Sequence, residues 1–323
     1  MISNLLRRSI TVSAGAVVFS IAITPSMAAA PIAVKDDLGR IITLAQRPRR
    51  IISLAPSVTE ILYAVGGSDR LIADTAYCDY PAAALKLPHV GGVTSANSEK
   101  ILDLHPDLII IASQTLPAGE ADALQKRWQA PVYVTAAASY NGVMKNIQAL
   151  GYLAGKPRPT KTCLDRMNLA LRLAHKTAQG KPQPKVFVVV WESPLMTASG
   201  TSFIGDLIRQ AGGRNVAETT PGAYPNYSAE KLLHDAPDLL LTGSEGEPSP
   251  VMQDITSPDD PRLQSLAATL KPARLNAPWS KIVPAARKRK ICAIPADWTD
   301  RPGPRLALAL VLLARTLHPQ VPK

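Results

Sequence analysis

The chain has 323 residues, 46% of them hydrophobic, and 36 Lys and Arg against 25 Asp and Glu give a formal net charge of +11. That length suffices for two lobes with substantial cores. The basic residues are scattered, so the surplus favours anions in general but gives no nucleic-acid footprint.

The N-terminus reads as a targeting segment. Arg7 and Arg8 form a basic patch, and Ile10 to Ile23 is an apolar run too short to span a bilayer comfortably. Ser26-Met27-Ala28 offers small residues for cleavage, which is expected after Ala28, making residues 1–28 a signal peptide. An uncleaved anchor is the alternative. No cysteine near the junction suggests a lipid anchor, and export as a soluble chain is expected.

Asp36 to Leu44 reads as a turn or hairpin with Asp37-Leu38-Gly39 at its tip. A strand at Ile51 to Leu54 stops at Pro56, and Ser57-Val58-Thr59-Glu60 fits a capping box with Ser57 as N-cap. That helix ends at Gly66-Gly67. A strand at Leu71 to Ala73 leads into the loop Tyr77 to Pro81. Helix Ser98 to Leu104, strand Leu108 to Ala112, helix Gly119 to Gln129 and strand Val132 to Val134 follow. The alternation predicts a mainly parallel sheet covered by helices.

Pro157 to Ala178 predicts one long amphipathic helix, with Leu164, Met167, Leu171, Ala174 and Ala178 as its apolar stripe. After it the scheme repeats. Val186 to Trp191 reads as a buried strand, Glu192 to Thr201 as a loop, and a helix ends at Gly212-Gly213. Ser228 opens another helix, strands follow at Leu239 to Thr242 and Ile291 to Ile294, and helix Arg305 to Leu317 closes the chain. Gly246 to Pro261, rich in Pro, Asp and Ser, reads as the least ordered internal stretch. Arg287 to Lys290 reads as a solvated turn entering a strand.

Two patterns recur in order on either side of the long helix. Glu60-Ile61-Leu62 leads to Gly66-Gly67 as Asp206-Leu207-Ile208 leads to Gly212-Gly213. Glu99-Lys100-Ile101-Leu102 leads to Pro106-Asp107 as Glu230-Lys231-Leu232-Leu233 leads to Pro237-Asp238. Two matches in the same order read as an internal duplication. The domain expectation is an N-terminal α/β lobe at residues 29–140, a linking segment with the long helix at 141–182, and a C-terminal α/β lobe at 183–323.

Loops that follow strands in an open α/β sheet carry ligand sites. Here they hold Tyr77, Asp79, Tyr80, Trp191, Glu192, Asp297, Trp298 and Arg301, with Tyr224 as a further candidate. Aromatic plates beside a few charges suit a large, flat, partly polar ligand. Catalytic signatures such as GxSxG, HExxH, a P-loop or GxGxxG are absent from the sequence, and the five histidines are dispersed, so neither an enzyme nor a bound metal or cofactor is expected. Asn97 and Ser228 stand two residues before Glu99 and Glu230, so each acid fits a first helical turn, where it complements the dipole by ~0.3–1 kcal/mol. Their recurrence, once per lobe, also suits docking onto a two-fold partner through arginines. Cys163 and Cys292 fit buried apolar positions, and Cys78, Cys163 and Cys292, an odd number with no CxxC, leave any disulfide pairing open.

Arg50 to Glu60, Tyr77 to Pro81, Asn97 to Ile101 with Pro106-Asp107-Leu108, Thr197 to Gly200, Gly212 to Asn215, Tyr227 to Leu233, and Asp297-Trp298 with Arg301 to Arg305 together resemble the helical-backbone periplasmic binding proteins of ABC importers. These carry cobalamin, haem and ferric siderophores. The resemblance implies the class III architecture, two Rossmann-like lobes joined by one long helix, and its nearest likeness is the cobalamin branch. It implies a monomer that delivers a metal chelate to an ABC permease dimer. On its pattern, Tyr77, Trp191, Tyr224, Asp297, Trp298 and Arg301 would surround the chelate, and Glu99 and Glu230 would dock on the permease. Gly91-Gly92-Val93-Thr94 stands where that branch can carry a tryptophan, and Glu192 adds a carboxylate; haem or a ferric siderophore is the alternative cargo. An exported hydrolase or a ligand sensor using the same cleft is the rival from another class.

Overall fold

A computed structural model describes residues 31–92, 95–113, 116–244, 257–263, 275–288 and 290–319. The expected signal peptide and most of the Gly246 to Pro261 stretch lie outside them. A hairpin of β1 (Ile32–Lys35) and β2 (Ile41–Leu44) opens the described chain. Its turn is held by Asp36, whose carboxylate accepts from the backbone of Leu38 and Arg40 and pairs with the Arg40 guanidinium at 2.7 Å.

Two parallel four-stranded sheets follow. The first runs β4 (Leu71–Ala73), β3 (Ile51–Ser53), β5 (Leu108–Ala112), β6 (Val132–Thr135). The second runs β10 (Arg214–Asn215), β7 (Lys185–Val189), β11 (Leu239–Ser244), β12 (Ile291–Pro295). Taken in chain order, the two sheets have the same strand order, so the duplication seen in short motifs extends to topology. The small hairpin β8 (Trp191–Glu192) and β9 (Leu195–Met196) interrupts what reads in sequence as one strand ending at Trp191, because β7 stops at Val189.

Among the described residues the α-helices are α1 (Pro56–Ala64), α2 (Ser98–Asp103), α3 (Ala118–Trp128), α4 (Tyr140–Ala154), α5 (Pro157–Ala178), α6 (Phe203–Gln210), α7 (Ala229–Asp235), α8 (Pro284–Arg287), α9 (Ala296–Thr299) and α10 (Leu306–Leu317). At 1.5 Å per residue the long helix α5 spans about 33 Å. Its buried side is Thr160, Cys163, Met167, Ala170 and Ala174, so the inward stripe is rotated from the expected one. Small residues face inward because α10, apolar on nearly every side, packs closely along α5; Leu164 and Leu171 flank the contact, partly buried.

One continuous core joins both halves through these helices, with Leu62, Leu150, Met167, Leu207 and Leu310 all buried in it. The outer face of each sheet covers a smaller core of its own. All three cysteines are buried and unpaired. Among the described residues no helix is long and apolar enough to cross a membrane.

The repeated motifs now have physical roles. Asp107 accepts from the backbone N–H of Arg49 and Arg50, and Asp238 accepts from that of Lys185, so each Pro-Asp pins the strand that begins its lobe. The glycine pairs seat α1 and α6 on the two ends of α5. A Cβ on Gly66 would lie 3.3 Å from Pro159 in the first turn of α5, and one on Gly212 only 2.3 Å from the Ala178 Cβ in its last. Gly66 and Gly212 also hold φ of +73° and +80°, which side chains rarely adopt.

Candidate ligand cleft between the two lobes

The first sheet's strands end at one rim of an interlobe cavity of about 370 Å³. Ser57, Ser113, Thr135 and Asn146 supply polar groups from the first half, and Phe203, Tyr224, Asp300 and Arg301 face them from the second. This is where an open parallel sheet offers its strand-end loops and helix starts to a ligand. Asn146 is fixed from behind, its amide donating to Asp37 at 2.9 Å. Asp37 also accepts from the Ala136 backbone N–H at 2.6 Å.

A carboxylate–guanidinium cluster crosses beside this cavity. Arg305 grips Glu60 with two hydrogen bonds, Nε to Oε2 at 2.9 Å and Nη2 to Oε1 at 2.6 Å. Both side chains are buried, at 2% and 9% exposure. Burial pushes the Glu60 carboxyl up, against the pull of Arg305 and Arg301. Arg301 pairs with Asp79, lies 3.0 Å from Asp297, and reaches Glu60 at 3.4 Å. Its guanidinium holds the Asp79 carboxyl below the usual carboxylate range. The Arg305 guanidinium also stacks over the Tyr80 ring, 4.3 Å from its centroid. Three acids and two arginines from the two halves therefore interlock, and Arg301 is engaged by protein carboxylates.

The capping box read at Ser57 does not form. Ala55 is the N-cap of α1, with no side-chain hydrogen bond, and Pro56 fills the first turn. Glu60 is drawn instead to a guanidinium 245 positions away, a partner local spacing cannot reveal.

The sequence-selected residues occupy different settings. Asp79, Tyr80, Asp297 and Arg301 meet in the cluster, and Arg301 and Tyr224 line the cavity. Partial burial, with the Asp300 charge nearby, pushes the Tyr224 phenol up to about 12, so it is neutral and able to donate a hydrogen bond. Tyr77 is 70% exposed on its loop. Trp191 is 60% exposed on the β8–β9 hairpin, its indole N–H donating to the Ser193 carbonyl. Glu192 is occupied structurally: its Oε2 accepts from the backbone of Asn276 and Ala277 at 2.7 and 2.8 Å. Trp298 is 1% exposed and belongs to the continuous core, where α9 turns it inward.

Glu99 and Glu230 are both exposed and both stand in the first turn of a short helix. The expected caps are present: Asn97 accepts from the Lys100 N–H at 3.0 Å and Ser228 from that of Lys231 at 3.1 Å. Sequence reasoning missed Glu60 and Arg305 as a pair and the polar lining at Ser113 and Asn146. Among the described residues no group of three or more His, Cys, Asp and Glu gathers as a metal site.

Comparison with known proteins agrees with this architecture. The chain is 29% identical over 274 residues to the vitamin B12-binding protein of Vibrio parahaemolyticus, covering 84% of this chain and 90% of that one. The crystal structure of the periplasmic vitamin B12-binding protein BtuF of Vibrio cholerae superposes with a TM-score of 0.66 at 27% identity, covering 84% and 97%. The periplasmic heme-binding protein BhuT, in complex with two hemes, shares the fold at a TM-score of 0.65 and 24% identity, covering 83% and 97%. The profile of the family described as periplasmic binding protein matches residues 51–297. With twin parallel sheets, one long connecting helix and that match across most of its length, the chain belongs to the periplasmic binding protein family.

Proposed function

We propose that the chain is the periplasmic substrate-binding component of an ABC importer and takes cobalamin or a related corrinoid into the interlobe cleft. The observation that carries this is a cleft lined from both lobes, in a chain alignable over most of its length with vitamin B12-binding proteins. Tyr77, Tyr80, Trp191 and Tyr224 would offer aromatic contact at the rim, and Asp79, Asp297 and Arg301 would exchange their mutual contacts for polar groups of the ligand. The role is capture and delivery, with no bond made or broken. The exposed pair Glu99 and Glu230, one per lobe, would meet arginines of a permease dimer.

Uptake of labelled cyanocobalamin by cells that lack their own binding protein tests this. The chain should restore uptake. Changing Glu99 and Glu230 together to alanine should abolish uptake while leaving cyanocobalamin affinity of the purified protein unchanged. Normal uptake by the double variant would overturn the docking role.

A further inference from the structure

We propose that a second cavity, an open pocket between α1, α5 and α10 on the side of the Glu60–Arg305 pair, is a site for a small amphipathic carboxylate. It measures about 560 Å³ and shares no lining residue with the interlobe cleft. That volume lies within the roughly 300–1,000 Å³ of small-molecule sites. Ala64, Pro159, Met167 and Leu308 form apolar walls, contributed by all three helices. An alkyl or aryl body would therefore leave water against these apolar side chains.

The charges lining the cavity define the other end of the ligand. Glu60 and Arg305 line it, but each neutralises the other through the two hydrogen bonds described above, and Arg305 also covers Tyr80. Arg166 lines it too, is exposed, and among the described residues makes no hydrogen bond or ion pair. Tyr63, on the α1 wall, likewise has no hydrogen-bond partner for its hydroxyl among the described residues. A guanidinium and a phenol that have no hydrogen-bond partner among the described residues, beside apolar walls, match a single carboxylate, which a guanidinium can receive through two parallel N–H donors. Such an occupant would touch α1 of the first lobe, the connecting helix and α10 of the second together, and so favour the lobe arrangement in which the cavity exists.

The test uses the full mature chain with decanoate as probe and 1-decanol as its uncharged counterpart, read by isothermal titration calorimetry. One decanoate should bind per chain, and 1-decanol should bind at least tenfold more weakly. Arg166→Gln alters an exposed side chain and should weaken decanoate at least tenfold, about 1.4 kcal/mol. Ala64→Trp, at an exposed position on the wall, should block binding by filling the space. Tyr224→Ala, in the other cavity, should leave decanoate affinity unchanged. Absence of saturable decanoate binding would overturn the proposal. So would equal affinity in Arg166→Gln and wild type, or loss of binding in Tyr224→Ala. None of these outcomes depends on whether the cleft takes cobalamin.

Discussion

Glu60 and Asp206 stand at equivalent places in the two halves, and each carboxylate crosses to the start of the other half's last helix. Glu60 accepts from the guanidinium of Arg305, at the N-cap position of α10, and Asp206 accepts from the backbone N–H of Tyr140, the first residue of α4, at 2.8 Å. Two helix starts are thereby tied to the opposite lobe by acids. At α4 the contact also has the favourable sign, since a helix N-terminus attracts negative charge.

The two kinds of ion pair in the cluster should differ in energy. Glu60→Gln leaves the buried Arg305 with only Asp297, 3.8 Å away, as counter-charge and should cost about 3 kcal/mol. Asp79→Asn breaks a pair whose carboxylate side chain is 53% exposed and should cost about 1 kcal/mol or less. Urea denaturation of both variants measures the contrast; equal small losses would show that the buried pair does not hold the lobes together.

Gly212 carries the junction between α6 and the end of α5. Gly212→Ala should destabilise by about 2 kcal/mol or more, because its Cβ would meet Ala178 at a backbone angle unfavourable to any side chain. Gly180 has a similar φ, +71°, with nothing within 4 Å of a Cβ. Gly180→Ala should therefore show the backbone cost alone, and the difference in thermal or urea stability isolates the packing cost.

How far the sequence reveals these features depends on the range of the interaction. The duplicated Pro-Asp and Gly-Gly motifs, and the caps Asn97 and Ser228, are legible because each acts within a few residues or repeats at fixed spacing. Helix α4 escapes notice because Asn141, Gly142 and Gly151 weaken its propensity; Gly151 is needed where Thr160 of α5 packs against it. Glu60 imitates a capping residue, and the burial of Trp298 and the Glu192 contacts to Asn276 and Ala277 are equally hidden from local pattern, since the partners lie on remote segments. Tertiary contact, not local pattern, assigns all three.

Asp74 sits fully buried at the end of β4, hydrogen-bonded to the His89 imidazole at 2.8 Å, with its second oxygen unpartnered. Burial raises its carboxyl to about 6, against the lowering effect of His89. A raised acid binds its proton more tightly in the folded state than in the unfolded chain. Its contribution to stability is complete below the unfolded value near 3.8 and lost as pH rises through about 6. Asp74→Asn should therefore be more stable than wild type at pH 7.5, by up to about 3 kcal/mol, and the gap should close toward pH 4. Denaturation curves at pH 7.5, 5.5 and 4.5 would show it; a gap constant with pH would contradict the assignment.

The central claim is that the interlobe cleft holds one cobalamin. Absorption titrations of the purified protein, run in parallel with cyanocobalamin, haemin and a ferric siderophore, test it most directly. The account predicts a saturable change with cyanocobalamin at one per chain, weakened at least tenfold, about 1.4 kcal/mol, by Arg301→Ala. Saturation by haemin or the siderophore with none by cyanocobalamin would contradict it, as would cyanocobalamin binding untouched by Arg301→Ala.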